Sequence, residues 1–376
     1  MSANVLHGVR RVAVHILRRL SEARPARRRA ERSLAAPVQI AQLPETNRET
    51  RRFFSSEAAP VSTSEALPIV SVVIPVYDSE AWLDDCLSSV LTQSGVALEV
   101  LCIDDGSTDA SRQVLERYAV TDARVRIIEQ ANAGQSVARN VGLGEARGRY
   151  VIYLDSDDFW RENALASLVA RADRERLDVL QFDGIAFRDG EVQSSTWNWY
   201  SSYYPRVRTY RRVRLGPAMI RDMRRWGDYR PHVGMYLART DFVRTAGIAF
   251  IPGIVHQDNP YTFTLLLKAR RVAHARCSFY ARRLRQGSTI TTLRTAASAN
   301  GYFLGYLAMS REMRRHAFDA ATTSALNDVI AGVFTAARKK IVVLPKVAQQ
   351  SMAELDTSDD AQLALRSLLA NGSADE

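Results

Sequence analysis

Acidic residues follow three short apolar segments in the first half of the chain. Asp-Ser-Asp-Asp forms residues 155–158, a second acidic stretch spans residues 104–109, and Asp78 stands alone after the first segment. Carboxylates repel one another, so a cluster of them needs a cation or hydrogen-bond donors in the gaps. Divalent metal ions and sugar hydroxyls both meet that need. The spacing therefore indicates a polar ligand site.

Asp155 and Asp157 are candidate ligands of a divalent metal ion, which would neutralise a bound diphosphate. All-oxygen ligands favour Mg²⁺ or Mn²⁺. The same four residues are also typical of a turn or helix cap, so both interpretations stay open. Neither GxGxxG nor GxxxxGK[ST] follows the first apolar segment, which argues against dinucleotide and P-loop sites.

The elements that must position these acids alternate regularly from residue 68 onwards. This alternation predicts an α/β fold with a mostly parallel, doubly wound sheet and helices on both faces. In such sheets, ligands bind at the carboxyl ends of the strands, where the acids lie. The predicted strands are residues 70–76, 99–103, 125–129, 150–154 and 179–182, and the predicted helices are residues 81–92, 110–119, 136–146, 162–174 and 261–268.

Composition divides the chain into three parts. Residues 1–67 contain twelve Arg and six Glu, so they carry six of the ten net positive charges, and we expect a basic amphipathic helix and a linker there. Residues 68–292 form the expected catalytic domain, and residues 293–376 a helical C-terminal region. The apolar runs are far shorter than the roughly 20 residues of a membrane span.

The amphipathic pattern at residues 5–20 has three open interpretations: a membrane surface helix, a helix packed on the protein or a partner, or an organelle transit peptide. An anionic surface suits its arginines. Three widely spaced cysteines indicate neither a disulfide framework nor a zinc site. We therefore expect a cytoplasmic protein that associates peripherally with the inner face of the membrane.

Four motifs occur in order along the catalytic part, and together they resemble family 2 glycosyltransferases of the GT-A fold. The motifs are residues 72–77, 103–109, 132–142 and 154–158. The resemblance extends to about residue 290 and implies an inverting, non-processive enzyme of the bacterial type. It also implies the GT-A form of the predicted α/β fold.

The resemblance implies a role for each residue of these motifs. Asp105 would accept the ring N–H of a uridine-type base, Asp157 would be the main metal ligand of a DxD motif, and Asp155 would face ribose or metal. Asp78 departs from the family, which often has Asn there. The implied donor-binding residues are Pro75, Tyr77, Asp105, Arg139, Asp155 and Asp158.

Residues 248–258 resemble the family stretch in which a Glu-Asp pair opens a helix and the Asp acts as the base. Here Gln257 replaces the Glu, and Asp258 keeps the base position. Transfer to an alcohol requires such a base, because proton removal must accompany attack. Two alternatives stay open: Asp258 as a simple helix cap, and His256 as a competing base.

Residues 280–290 resemble the closing segment of the family, near the donor diphosphate. Arg283, Arg285 and Ser288 are the candidates to bind phosphate oxygens, and a solvated basic loop is the alternative. A group of aromatic residues would either stack on sugar rings or form a packed insertion. These residues are Trp197, Trp199, Tyr200, Tyr203 and Tyr204.

The function that the resemblance implies is inverting transfer of a sugar from a nucleotide-sugar, with a UDP-sugar expected. The acceptor would be a hydroxyl of a glycan or lipid-linked molecule in cell-surface polysaccharide synthesis, which makes the enzyme a hexosyltransferase. Arg225-Trp226 precedes Asp258 and lacks the Gln of QxxRW, which favours single addition over processive synthesis. One alternative is a basic nucleic-acid-binding or scaffold protein, although the sequence contains no helix-turn-helix, zinc-finger or RRM motif. The other is a nucleotidyltransferase on a related fold.

Overall fold

The computed structural model describes residues 68–161, 163–286 and 296–370. The predicted helix at residues 5–20, the linker up to residue 67 and Ser288 lie outside the described residues, and so do the predicted domain boundaries at residues 67 and 292. The division into three parts therefore stays a prediction.

The described residues form one sheet with helices around it. Its strands are β1 (Val70–Val76), β2 (Leu98–Asp104), β3 (Val125–Glu129), β4 (Tyr150–Tyr153), β5 (Phe159–Trp160), β6 (Val179–Arg188), β7 (Tyr236–Arg239) and β8 (Val272–Leu284). The first helices are α1 (Leu83–Leu91), α2 (Ser111–Thr121), α3 (Gln135–Glu145), α4 (Leu165–Arg174), α5 (Ser194–Tyr200) and α6 (Gly216–Arg225). They are followed by α7 (Thr240–Thr245), α8 (Asp258–Lys268), α9 (Ala296–Met313), α10 (Ala320–Ile341), α11 (Lys346–Ser351) and α12 (Asp359–Ala370), with short 3₁₀ turns at Val233–Met235 and Met352–Glu354.

The strand order is β3-β2-β1-β4-β7-β6-β8-β5. β1 pairs in parallel with both β2 and β4, and β2 pairs in parallel with β3. The predicted parallel sheet is thus confirmed, and the carboxyl ends of β1, β2 and β4 lie along one edge. β7 runs antiparallel to β4 and β6, and it joins this half to a second half in which β6 and β8 are parallel.

Both faces of the sheet are covered, as the continuous apolar strands predict. Val72 and Ile74 belong to one hydrophobic cluster, with residues of α1, α2 and α4. Val73, between them in the chain, belongs to a second cluster with residues of α3, α6 and α8. Successive side chains of a strand point to opposite faces, so β1 anchors helices on both sides.

Several elements differ from the predicted bounds. The helix predicted from residue 162 begins at Leu165, because residues 159–160 form β5 and pair with β8. The strand predicted at 179–182 continues to Arg188, since its pairing with β8 continues past a register shift. The helix predicted from residue 261 begins three residues earlier, at Asp258. β7 and β8 were not among the predicted elements.

The C-terminal helices share the core of the sheet domain. Leu326, Val329, Ile330 and Val333 of α10 belong to the same buried cluster as Val73 of the central strand. The predicted helical C-terminal region is therefore observed, and it packs directly on the α/β body. None of the helices within the described residues has the length and apolar character needed to cross a membrane.

Replacement by alanine should affect stability differently at two glycines of α3. A Cβ on Gly142 would lie 2.3 Å from a methyl carbon of buried Val73, whereas a Cβ on Gly144 would meet nothing within 4 Å. We expect Gly142→Ala to lower the free energy of unfolding by about 1–3 kcal/mol through overpacking. Gly144→Ala should leave it unchanged or raise it by up to roughly 1 kcal/mol, because alanine favours helix. Urea unfolding of both variants checks this, and equal effects would contradict the close packing of α3 on β1.

Candidate active site

The edge formed by the carboxyl ends of β1, β2 and β4 carries the predicted donor-binding residues. Pro75 is buried within β1, and Tyr77 follows the strand with 43% of its surface exposed. Asp78 has a φ of 46° and accepts a hydrogen bond from the Thr108 amide at 2.8 Å. Asp and Asn adopt this left-handed conformation more readily than most residues. The left-handed backbone at this position therefore explains why Asp can stand where the resembled family often has Asn.

Asp105 holds the turn that starts α3. Its carboxylate accepts hydrogen bonds from the amides of Ala133 and Gly134, both at 2.8 Å, and from Gln130 Nε2 at 2.6 Å. Gly134 has a φ of 89°, a conformation that suits glycine. These bonds fix the first turn of the helix that carries Arg139.

The loop after β4 brings three carboxylates together. Asp155, Asp157 and Asp158 each offer an oxygen within 4.8 Å of the others. Asp155 pairs with Arg139 at 2.5 Å and with Arg282 at 2.8 Å. The cluster is thus partly neutralised by arginine side chains from α3 and β8.

Asp158 is the most buried of the three acids. It accepts hydrogen bonds from Arg282 NH1 at 2.7 Å, from the Arg283 amide at 2.8 Å and from the Tyr280 hydroxyl. Burial raises the pKa of Asp158, and the neighbouring carboxylates add to this rise. Asp155 behaves in the opposite way: burial opposes its ionisation, but Arg139 and Arg282 outweigh burial and hold its pKa well below the usual range. Neighbouring acids with such divergent environments are typical of functional sites.

Asp258 lies at the first position of α8 and faces the same guanidinium as the acidic loop. Its carboxylate is 3.7 Å from Arg139 NH1, so a single guanidinium pairs with both Asp155 and Asp258. Burial raises the pKa of Asp258 to about 6, although Arg139 partly offsets this. The predicted base and the predicted metal-binding loop are therefore brought together.

Gln257 joins the same network through a second route. Its Nε2 donates to Gln135 Oε1 at 2.6 Å, and Gln135 Nε2 donates to Asp155 at 3.1 Å. The amide thus makes a neutral connection between α8 and the acidic loop. A glutamate at this position would place another negative charge near Asp155 and Asp258.

Arg283, near the end of β8, and Arg285, just after the strand, have different surroundings, which the sequence alone did not distinguish. Arg283 is buried and contacts protein groups: Asp85 at 2.7 Å, Asp189 at 3.0 Å and the Asp157 carbonyl at 2.8 Å. Arg285 lies over the ring of Trp82, 3.7 Å from its centroid, and its NH2 group is 3.1 Å from Asp157.

Arg282 was not predicted as a site residue, yet it pairs with two of the three acids. Adjacent residues of a strand point to opposite faces, so the choice between Arg282 and Arg283 required the register of β8. The sequence signal that could have indicated Arg282 was the Tyr-Ala-Arg-Arg motif at residues 280–283.

His256 faces away from the acidic cluster. Its Nε2 lies 2.7 Å from Ser298 Oγ, and its ring stacks on Tyr302 with centroids 4.0 Å apart. Burial lowers the pKa of His256 to about 4, and Lys340 contributes to this shift. The imidazole is therefore neutral near pH 7, and it is engaged by α9.

The predicted aromatic group forms a layer between β8 and solvent. Tyr204 is buried and contacts His232 and Tyr280 edge-on or tilted. Trp199 is 65% exposed and stacks on Tyr203. The inner residues are thus packed, as the insertion alternative predicts, whereas Trp199 presents an aromatic surface to solvent.

Comparison with known proteins identifies the family. The model for glycosyl transferase family 2 matches residues 71–224. The uncharacterized glycosyltransferase YibD of Escherichia coli (strain K12) is 32% identical over 249 residues, which make up 65% of this chain and 70% of YibD. The chain belongs to glycosyltransferase family 2. It is therefore an enzyme that transfers glycosyl groups, and the scaffold and nucleotidyltransferase alternatives fall away.

Other relatives of this glycosyltransferase match over shorter segments. The uncharacterized glycosyltransferase EpsJ of Bacillus subtilis (strain 168) is 31% identical over 209 residues, which cover 55% of this chain and 58% of EpsJ. The succinoglycan biosynthesis protein ExoO of Rhizobium meliloti (strain 1021) is 38% identical over 132 residues, covering 33% of this chain and 37% of ExoO. The chain thus spans a little over half of EpsJ.

Solved structures confirm the GT-A fold. S. aureus TarS 1–349 in complex with UDP-GlcNAc has a TM-score of 0.58 at 20% identity, covering 81% of this chain and 88% of that structure. The mannosyltransferase PcManGT from Pyrobaculum calidifontis, in complex with GDP-Man and Mn²⁺, has a TM-score of 0.50 at 16% identity, covering 86% and 91%.

The position of Arg282 predicts a large loss of stability when its charge is removed. Arg282→Met would leave Asp155 and buried Asp158 without a shared counter-charge, so we expect the free energy of unfolding at neutral pH to fall by about 3–5 kcal/mol. Arg117→Met is the control, because Arg117 is 62% exposed where it pairs with Asp84, and such pairs contribute about 1 kcal/mol or less. Chemical denaturation measures both. Equal losses would contradict the central position of Arg282.

Proposed function

We propose that this glycosyltransferase moves a sugar, with inversion, from a UDP-sugar to a hydroxyl group of a glycan or lipid-linked acceptor. The observation that carries the proposal is that Arg139 pairs with both Asp155 and Asp258. The acidic loop and the candidate base therefore border one cleft, with a positive charge between them. A single displacement at the anomeric carbon requires the leaving group and the base to lie within reach of that carbon, on its opposite sides.

Asp258 acts as the base in this proposal. A carboxylate with a pKa near 6 is ionised at neutral pH and is a stronger base than an ordinary aspartate. Asp258 removes the proton of the acceptor hydroxyl as the oxygen attacks. Since the attack displaces the diphosphate directly, we expect no covalent intermediate on the enzyme.

The leaving side requires positive charge. Arg139 Nε and NH1 and Arg282 Nε are buried without a hydrogen-bond partner among the described residues, although Arg139 NH1 is paired electrostatically with Asp258. We assign the positive charge of these two arginines, together with that of Arg285, to stabilise the donor diphosphate. Arg283 keeps a supporting role, because its guanidinium is bound to protein acids.

A divalent metal ion fits the acidic loop. The three carboxylates provide closely spaced oxygen donors, which suit Mn²⁺ or Mg²⁺. Asp155 and Asp157 would hold the ion, and when bound it would neutralise negative charge on the departing diphosphate. Asp158 is fully buried, whereas Asp155 and Asp157 are partly exposed, so we assign Asp158 to support the loop through its hydrogen bonds. The Mn²⁺ in the PcManGT complex supports this assignment.

The identity of the nucleotide and the biological role are inferred from two different related proteins. The bound UDP-GlcNAc of TarS favours a uridine nucleotide, for which Tyr77 and Asp105 border the base in our proposal. The relationship to ExoO, a succinoglycan biosynthesis protein, favours a role in polysaccharide synthesis. Peripheral association with the inner membrane face through residues 5–20 stays a prediction from their sequence pattern.

Replacement of Asp258 tests the function. We expect Asp258→Asn to lower kcat by about 10²–10⁴-fold, the range of a lost general base, while KM for the donor changes little. The donor is first selected from a panel of UDP- and GDP-sugars with Mn²⁺, by measuring the nucleoside diphosphate released. A preference for a GDP-sugar would refute the uridine assignment.

The matched control for this variant is Asp241→Asn. Asp241 also lies in the first turn of a helix, but it is exposed, and kcat should stay within about twofold of the wild-type value. Wild-type turnover in Asp258→Asn would show that another group takes the proton.

The raised pKa of Asp258 also predicts a pH profile. The base must be ionised, so kcat should be constant above the pKa and fall about tenfold per pH unit below it. Burial places the midpoint of this fall at about pH 6. Steady-state rates between about pH 5 and 8 measure it, with the Asp241→Asn variant following the same curve. A rate that stays level down to about pH 5 would contradict the assignment of Asp258.

A further inference from the structure

One face of α9 packs against the turn that leads to Asp258. Ser298, Gly301, Tyr302 and Gly305 have the spacing i, i+3, i+4 and i+7, which places them on one side of the helix. Ser298 and Tyr302 contact His256. A Cβ added at Gly301 would meet Val255, and one added at Gly305 would meet Pro260.

The approach at Gly301 is a backbone contact. A Cβ at this position would lie 2.2 Å from the Val255 carbonyl oxygen and 3.0 Å from its carbon. Real Cβ atoms do not come so near a carbonyl, so any larger residue must displace the turn or the helix. Only glycine allows the observed distance between α9 and Val255.

Two side chains add specific contacts beside this glycine. Ser298, fully buried, shares a 2.7 Å hydrogen bond with His256 Nε2, and Tyr302 stacks on the imidazole. The turn itself is unusual, since His256 has a φ of 60°. A non-glycine residue in this left-handed conformation costs free energy, so it persists only where the surrounding structure holds it. Here the contacts with α9 hold it.

The turn continues directly into the helix that bears the candidate base. The His256 carbonyl accepts hydrogen bonds from the Asn259 amide at 3.2 Å and from Asn259 Nδ2 at 3.3 Å. Asp258 stands between these two residues. Its position is therefore fixed by the same turn that α9 holds.

We propose that α9 positions the Asp258 carboxylate to take the proton of the acceptor hydroxyl, with Gly301 and Ser298 as positioning residues that act through Val255 and His256. This inference rests on the proposed role of Asp258 as the base. It gives the C-terminal helices a part in the reaction itself, in addition to their part in the hydrophobic core.

The test compares two glycine substitutions on the same helix face. Gly301→Ala should lower kcat by roughly 10- to 100-fold, because small displacements of a reacting group are costly. KM for the UDP-sugar selected above, and the Kd of UDP measured by calorimetry, should stay within about twofold. Gly305→Ala is the control: its Cβ would lie 3.5 Å from Pro260 Cδ, an ordinary contact, and its kinetics should match the wild type.

A double variant shows whether Gly301 acts through Asp258. In the Asp258→Asn background, Gly301→Ala should cause no further loss of kcat, because residues that act as one unit are not additive. A full additional loss in that background would overturn the proposal. So would wild-type kcat in Gly301→Ala beside an impaired Asp258→Asn, and that result would leave the base assignment standing. Wild-type kcat in Asp258→Asn would overturn the base assignment and this inference together.

Ser298→Ala covers the case in which Gly301→Ala does not fold. This variant removes only the hydroxyl that bonds His256, and we expect kcat to fall about three- to tenfold with KM for the UDP-sugar unchanged. Wild-type kcat would overturn the proposal. A rise in KM equal to the fall in kcat/KM, with kcat unchanged, would overturn it as well, because it would point to donor binding instead.

Discussion

The guanidinium of Arg139 between Asp155 and Asp258 is the interaction on which the site depends. The side chain is 1% exposed, so its charge is stable only because two carboxylates face it. One acid comes from the edge of the parallel half of the sheet, and the other comes from a helix more than a hundred residues later. Arg139 therefore links the acidic loop after β4 to the start of α8 electrostatically.

The fold supplies this arrangement through two constraints. The carboxyl ends of β1, β2 and β4 must share an edge because the strands are parallel, and Asp105 fixes the start of the helix that carries Arg139. On the other side, α8 is held by a turn that carries a left-handed histidine. A side built on parallel strands thus faces a side whose geometry comes from helix packing.

The sequence predicted the first half of the molecule well because its signals are local. Continuous apolar segments marked β1 to β4 within one residue, and the acids that follow β4 are the ones that form the cluster. Less could be predicted where position depends on tertiary contacts. β7 and β8 carry no clear periodicity, and the register of β8 decides that Arg282, rather than Arg283, faces Asp155. The contact between Gly301 and Val255 joins residues 46 positions apart, and no local pattern reveals it.

The shared core of α10 and the sheet has a practical consequence for protein engineering. Leu326, Val329, Ile330 and Val333 belong to the same hydrophobic cluster as apolar residues of the central strands, so a chimera that joined this catalytic half to the C-terminal half of a relative would cut through a hydrophobic core. An exchange of the C-terminal helices between such enzymes would then require the matching sheet face to be transplanted with them as one block.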